Sequence, residues 1–221
     1  MSNSPLVDIE MITRNKTIRT AKIDTITIHH MATIATAQAC AASFLPAERK
    51  ASANYCIGND GSVALSVPEE YRSWCSSSYE NDNRAITIEV SNDGRAPDRH
   101  VGDVALEKLL ALCVDICRRN GIEKLVYTGD TTGNLTMHKW FQSTLCPGPY
   151  LESQFPWIAE EVNRRLGVTD EPESTDNSKN ESDSSALYLV QAGAFRSKSN
   201  ADSLLEKLKA DGYDDAFIKV E

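Results

Sequence analysis

An α/β fold, with a mixed central sheet flanked by helices, is what this sequence predicts, and three observations carry the prediction. Two segments alternate apolar and polar residues with period two, as strands do. Two longer segments place apolar residues at helical spacing. Strand-like and helix-like segments interleave along the chain, the order that builds an α/β layer structure.

The first strand is Thr25-Ile26-Thr27-Ile28-His29. Ile26 and Ile28 face one way, and Thr25, Thr27 and His29 the other. The second is Ala85-Ile86-Thr87-Ile88-Glu89-Val90, with the isoleucines and Val90 on one face and Thr87 and Glu89 on the other. If both lie in one sheet, His29 and Glu89 share its polar face. Between them, Tyr55-Cys56-Ile57 and Val63-Ala64-Leu65 flank Gly58-Asn59-Asp60-Gly61, a hairpin signal. Asp103 is placed to cap a helix carrying Val104, Leu106, Leu109, Leu110, Cys113, Ile116 and Cys117, stopped by Asn120-Gly121. A second helix is expected from about Ser153, with Pro156 in its first turn, Trp157, Ile158 and Val162 buried, and Gly167 at its end. The Ala-rich stretch from Thr36 to Phe44 reads as a third.

Charge divides the chain. Residues 168–185 hold six acidic residues against the single Lys179 and almost nothing apolar, so they cannot bury enough surface to offset their ordering entropy and read as an acidic flexible linker. The linker separates a domain at 1–167 from a small module at 186–221. The 221 residues are 41 % hydrophobic, enough to bury a core, and carry a net charge of −9. That charge argues against a nucleic-acid binder that relies on phosphate contacts. No apolar run approaches the roughly 18 residues of a membrane span, and residues 1–8 show neither the basic nor the apolar part of a secretory signal. The six cysteines (Cys40, Cys56, Cys75, Cys113, Cys117 and Cys146) form no CxxC pair and are expected to be mostly reduced and buried.

Chemistry concentrates at few residues. The four histidines are His29, His30, His100 and His138. His29 ends a strand, and Cys146 stands before Pro147-Gly148-Pro149, a tight turn that fixes the direction of its sulfur. Two imidazoles and one thiolate, from His29, His138 and Cys146, would hold zinc with a fourth position open for water, the arrangement of a catalytic site.

At these residues the sequence resembles the zinc-dependent N-acetylmuramoyl-L-alanine amidases, which include phage lysozyme-type enzymes and peptidoglycan recognition proteins. The blocks that carry the resemblance are Ile26-Thr27-Ile28-His29-His30-Met31-Ala32-Thr33, Ala53-Asn54-Tyr55 through Gly61, Asn83-Arg84 through Glu89, and His138 with seven residues before Cys146-Pro147-Gly148. It covers roughly residues 15–167. It implies that Zn2+ is the cofactor, held by His29, His138 and Cys146. His29 rather than His30 matches the ligand position, and the alternation agrees, because His30 falls on the face of Ile26 and Ile28 and reads as a hydrogen-bonded core histidine. The resemblance further implies catalytic roles for Glu89 as proton acceptor, Tyr55 as the active-site tyrosine, and Thr144 or Tyr55 as the donor to the developing oxyanion. Trp74 aligns with the substrate cleft, where Cys75 replaces a histidine of relatives. Trp74 and His30 are the residues assigned to the substrate side.

In the C-terminal module, Ala186 to Phe195 alternates like a strand, Ser199 to Gly212 reads as a helix, and Ala216 to Val220 as a second strand. Val190-Gln191-Ala192-Gly193-Ala194-Phe195 and Gly212-Tyr213-Asp214-Asp215-Ala216-Phe217-Ile218 resemble one repeat of the SPOR peptidoglycan-binding domain. The expected partner is bacterial peptidoglycan, with residues 186–221 binding the wall or pairing two chains into a homodimer; neither nucleic acid nor membrane is expected. The reading is therefore a peptidoglycan hydrolase that cleaves the amide between N-acetylmuramic acid and L-alanine, a phage or prophage endolysin held in the cytoplasm until a holin opens the membrane. Two rivals stand beside it: a recognition protein that binds peptidoglycan without cutting it, and an autolysin of sporulation or germination.

Overall fold

A computed structural model describes residues 2–168, residues 198–210, and Tyr213, Phe217 and Ile218. The chain forms two compact units, Met1–Pro172 and Glu173–Glu221. In the first, the elements run β1 (Ile9–Glu10), β2 (Thr17–Ile18), β3 (Thr25–His30), α1 (Ala37–Ser43), β4 (Tyr55–Ile57), β5 (Val63–Leu65), β6 (Tyr71–Arg72), α2 (Tyr79–Arg84), β7 (Ala85–Val90), α3 (Asp103–Asn120), β8 (Leu135–Met137) and α4 (Pro149–Leu166). In the second, α5 (Lys198–Ala210) is the described element. The two strands expected to flank it, like the acidic linker beyond Val168, lie outside the described residues.

Six strands form one sheet in the order β1-β5-β4-β7-β3-β8, and β2 and β6 pair separately. β4 and β5 are the antiparallel hairpin that the Gly58–Gly61 turn signalled, and every other pairing in the large sheet is parallel. The sheet is therefore mixed and flanked by helices. In register, His29 lies beside Glu89, and Ile28 beside Ile88.

The apolar face of β3 and β7 meets α3 and α4. Ile26, Ile28, Ile86 and Ile88 pack with Leu109, Leu110 and Cys113 of α3 and with Phe155, Ile158 and Val162 of α4. Each isoleucine removed from water there stabilises the domain by roughly 1.5–3 kcal/mol. On the other face α1 lies over β4 and β5, through Ala37, Cys40, Ala41 and Phe44 against Cys56 and Ala64. β3 is buried along its whole length, Thr25, Thr27 and His29 included. Its polar residues mark hydrogen bonding rather than solvent. Thr27 Oγ1 lies 2.8 Å from Thr136 Oγ1 and accepts from Asn81 Nδ2, while Ser73 Oγ pairs with Thr87 Oγ1 at 2.7 Å. A buried hydroxyl is tolerated only when paired in this way.

Three details differ from the sequence reading. α4 starts at Pro149, not near Ser153, because Gly148 at φ 84° turns the chain and Pro149 takes the first helical position. Pro156 thus lies inside the helix, and Trp157 is 41 % exposed rather than buried. In α3 the cap is Gly102, with Asp103 as first helical residue, and Val104 is 60 % exposed because it points away from the stripe that begins at Leu106. α1 follows the reading: Thr36 caps it, its hydroxyl accepting from the Ala39 amide at 3.1 Å.

Candidate metal centre

The site forms at the carboxyl ends of the parallel strands, where α/β sheets present their loops. β3 delivers His29 near its last residue, and β8, paired to β3, ends at Met137 so that His138 opens a single 3₁₀ turn beside it. Cys146 returns on the loop before α4. That loop is closed by bonds from the Gly148 amide to Leu145 O (2.7 Å) and from the Lys139 amide to Cys146 O (3.1 Å). Gly148 is also required sterically, since a Cβ there would stand 2.7 Å from His30 Cε1.

These elements bring the three candidate ligands together. The ligand atoms of His29, His138 and Cys146 all lie within 4.8 Å of one another. Cys146 Sγ is 3.5 Å from His29 Nδ1, and the two imidazole centroids are 4.8 Å apart at 55°. Burial pushes the His29 pKa well down, with His138 and His30 adding to the effect, and burial lowers His138 as well. Both rings are thereby held neutral, the form that offers a lone pair. Burial, reinforced by Glu89, raises the Cys146 thiol. Two imidazoles and one sulfur gathered within 4.8 Å in a desolvated space suit a thiophilic divalent cation, and zinc fits this donor set.

Around the trio, Glu89 is held beside His29 by the β3·β7 register, and its Oε2 is buried without a partner. Burial raises its pKa to about 8, with Arg49 opposing weakly. Thr144 also reaches the site loop: its Oγ1 accepts from the Cys146 amide at 3.2 Å, which leaves its own proton free to donate. Trp74 is half-buried, and its indole Nε1 lies 3.5 Å from Thr17 Oγ1 on β2.

Tyr55 and His30 depart from the sequence reading. Tyr55 pairs in register with Ile88, so it lies on the opposite face of the sheet from His29 and Glu89. Fully buried, its hydroxyl donates to Glu69 Oε1 at 2.5 Å and accepts from the Ser4 amide at 2.9 Å. Arg119 grips the same carboxylate with two bonds of 2.7 and 2.9 Å, so Tyr55 belongs to a structural network and not to the metal centre. His30 is on the core face as expected, but it is not hydrogen-bonded through Nδ1, which is buried without a partner. Its ring packs against the Gly148 backbone, and burial lowers its pKa to about 4.

Three further residues have a place that the sequence reading did not give them. Gln142, one helical turn after His138, sets its Oε1 3.3 Å from His138 Nε2 and accepts from Ser77 Oγ. The i, i+4 spacing was the available signal. Asp82 accepts from the Cys75 and Ser76 amides, both at 3.0 Å, and fixes the loop beside the site. Cys75 itself lies with His29 and Glu89, their ligand atoms within 4.8 Å of one another.

Fold and site together define an α/β protein with a His/His/Cys metal-type donor set at the carboxyl ends of a parallel sheet. Residues 19–149 match the family model described as N-acetylmuramoyl-L-alanine amidase, and the chain belongs to that family. Residues 184–221 match the SPOR domain. No curated protein matches the chain. Among solved structures, the PlyG catalytic domain is 17 % identical with a TM-score of 0.57, covering 74 % of this chain and 98 % of its own. A mutant endolysin from Bacillus subtilis is 17 % identical with a TM-score of 0.54, covering 71 % and 99 %. The hydrolase AmiA of Staphylococcus aureus, in complex with its ligand, is 15 % identical with a TM-score of 0.56, covering 73 % and 86 %. At these identities the likeness is one of fold. Among the described residues, no helix is long and apolar enough to cross a membrane.

Proposed function

We propose that this chain is a zinc-dependent peptidoglycan hydrolase that cleaves the amide between N-acetylmuramic acid and L-alanine, and that it serves as a phage or prophage endolysin released to the wall through a holin. The observation that carries the reading is the convergence of His29, His138 and Cys146 within 4.8 Å, inside the stretch that matches the amidase family. The endolysin assignment draws support from the similarity in fold to the Bacillus subtilis endolysin.

Zinc, held by His29, His138 and Cys146, would supply Lewis acidity toward the amide carbonyl and lower the pKa of a bound water to about 7. The chain's own residues do the rest. Glu89, beside His29, takes the proton of the attacking water and returns it to the leaving amine. Thr144, its oxygen already engaged by the Cys146 amide, directs its free O–H to the oxygen that gains charge. Gln142 fixes the orientation of His138 from behind, as outer partners of metal-ligating histidines do. The SPOR residues would add binding to the wall.

The test is zinc content together with reducing ends and free amines released from purified walls. His138→Ala and Cys146→Ser should each lose one equivalent of zinc and all activity. Glu89→Gln should keep the His138- and Cys146-dependent zinc while losing 10²–10⁴ in rate, the cost of removing a general base. Unchanged zinc content in both His138→Ala and Cys146→Ser overturns the reading, as does release of reducing ends without free amines.

A further inference from the structure

His29 carries two ring nitrogens, and the donor set above accounts for one. Nδ1 faces Cys146 Sγ at 3.5 Å; Nε2 is buried and has no hydrogen-bond partner. One strand over, Glu89 is in register with His29, and its Oε2 is likewise buried and unpartnered. The third member is Cys75, on a loop pinned by the bonds from its own amide and that of Ser76 to Asp82. Ligand atoms of His29, Cys75 and Glu89 lie within 4.8 Å of one another. Two unpartnered polar atoms facing one small region are rare in a folded interior, and they mark a place where something polar belongs.

We propose that His29, Cys75 and Glu89 form a second position for a thiophilic divalent cation such as zinc or cadmium, sharing His29 with the first, and that filling it inhibits the enzyme. The donor chemistry selects the ion: an imidazole nitrogen, a sulfur and a single carboxylate suit zinc or cadmium and not magnesium or calcium, which require several oxygen ligands. Charge balance favours occupancy. A Cys75 thiolate and the Glu89 carboxylate together neutralise a dication, where the first trio offers a single negative charge. Binding there would release the Cys75 thiol proton and the Glu89 proton to solvent, and His29 would offer its second ring nitrogen only by releasing its ring N–H proton as well. Inhibition rests on the function proposed above, since a cation on Glu89 removes the group that accepts the proton.

Equilibrium dialysis of the full chain against zinc, with cadmium titration read by thiolate-to-cadmium absorbance, tests this. Wild type should bind two equivalents and show two absorbance steps, one for each sulfur. Cys75→Ser should bind one equivalent and show one step. Glu89→Gln, used for binding alone, should also fall from two equivalents to one, which covers the case in which Cys75→Ser does not fold. Excess zinc should lower wild-type activity by about 10²–10⁴-fold, the cost of a lost base, and should leave Cys75→Ser at its own starting rate. Wild-type zinc content in both Cys75→Ser and Glu89→Gln overturns the second position. Wild-type content in His138→Ala overturns instead the proposed catalytic centre, because His138 takes no part in the second trio.

Discussion

Tyr55 shows how far a single residue can be read from its neighbours in sequence. Its hydroxyl joins Glu69, which Arg119 and Asn120 also bond, and the Ser4 amide, so the donors around that buried carboxylate share one network. Tyr55→Phe removes one bond to Glu69, which Arg119 still holds, and leaves the Ser4 amide unpaired. The expected loss is about 1–2 kcal/mol, a fall in Tm of about 3–6 °C, with the rate per folded molecule unchanged. Thermal melts alongside wall digestion check this, and a tenfold rate loss with the melt intact would return Tyr55 to the reaction. His29 was legible because alternation within one strand separates it from His30. Tyr55 was not, because the face it occupies depends on the register between β4 and β7, which no local pattern encodes. The grouping of Cys75 with His29 and Glu89, and the bond from Ser77 to Gln142, were not legible for the same reason, because these partners lie on other elements.

Elements with their own punctuation were legible. Thr36 announces α1, Gly121 ends α3 with φ 67°, and the Gly58–Gly61 turn joins β4 to β5. The start of α4 was not, because Pro149 and Pro156 are both acceptable first-turn residues and only the packing of the Cys146 loop chooses between them. That loop yields a prediction at this scale. Gly148→Ala forces an L-residue to φ 84°, ψ 157°, a region open essentially to glycine alone, costing about 1–3 kcal/mol for the backbone, and also drives a Cβ to 2.7 Å from the His30 ring. Because Cys146 lies two residues earlier, zinc affinity should fall along with stability. Gly121→Ala is the control, with φ 67° and nothing within 4 Å of the added Cβ. It should cost only the backbone term and leave zinc binding alone. Equal zinc affinities in the two variants would show that the turn does not position the thiol.

For the whole molecule, the chain separates into two compact units, Met1–Pro172 and Glu173–Glu221. In the second, Tyr213 and Phe217 are 61 % and 63 % exposed, and α5 carries Leu204, Leu205 and Leu208, which are only half-buried. Apolar side chains in that condition favour a partner surface. We propose that two chains pair through residues 186–221 in a closed isologous contact. Light scattering should then give a dimer for the full chain and a monomer for a chain ending at Val168. A monomeric full chain at micromolar concentration rejects the pairing, and undiminished wall pull-down after truncation rejects wall binding by the SPOR residues.

The donors gathered at His29 also impose an order in time. His29 and Cys146 are 117 residues apart, and β3 finds its sheet neighbours only in β7 and β8, both made later. At a synthesis rate of about 5–20 residues per second, His29 precedes Cys146 by on the order of ten seconds. Throughout that interval the nascent chain holds an incomplete donor set, so no truncated product ending before Cys146 can complete the proposed metal centre. A cell making this protein is thus shielded from those copies whose synthesis stops short of Cys146.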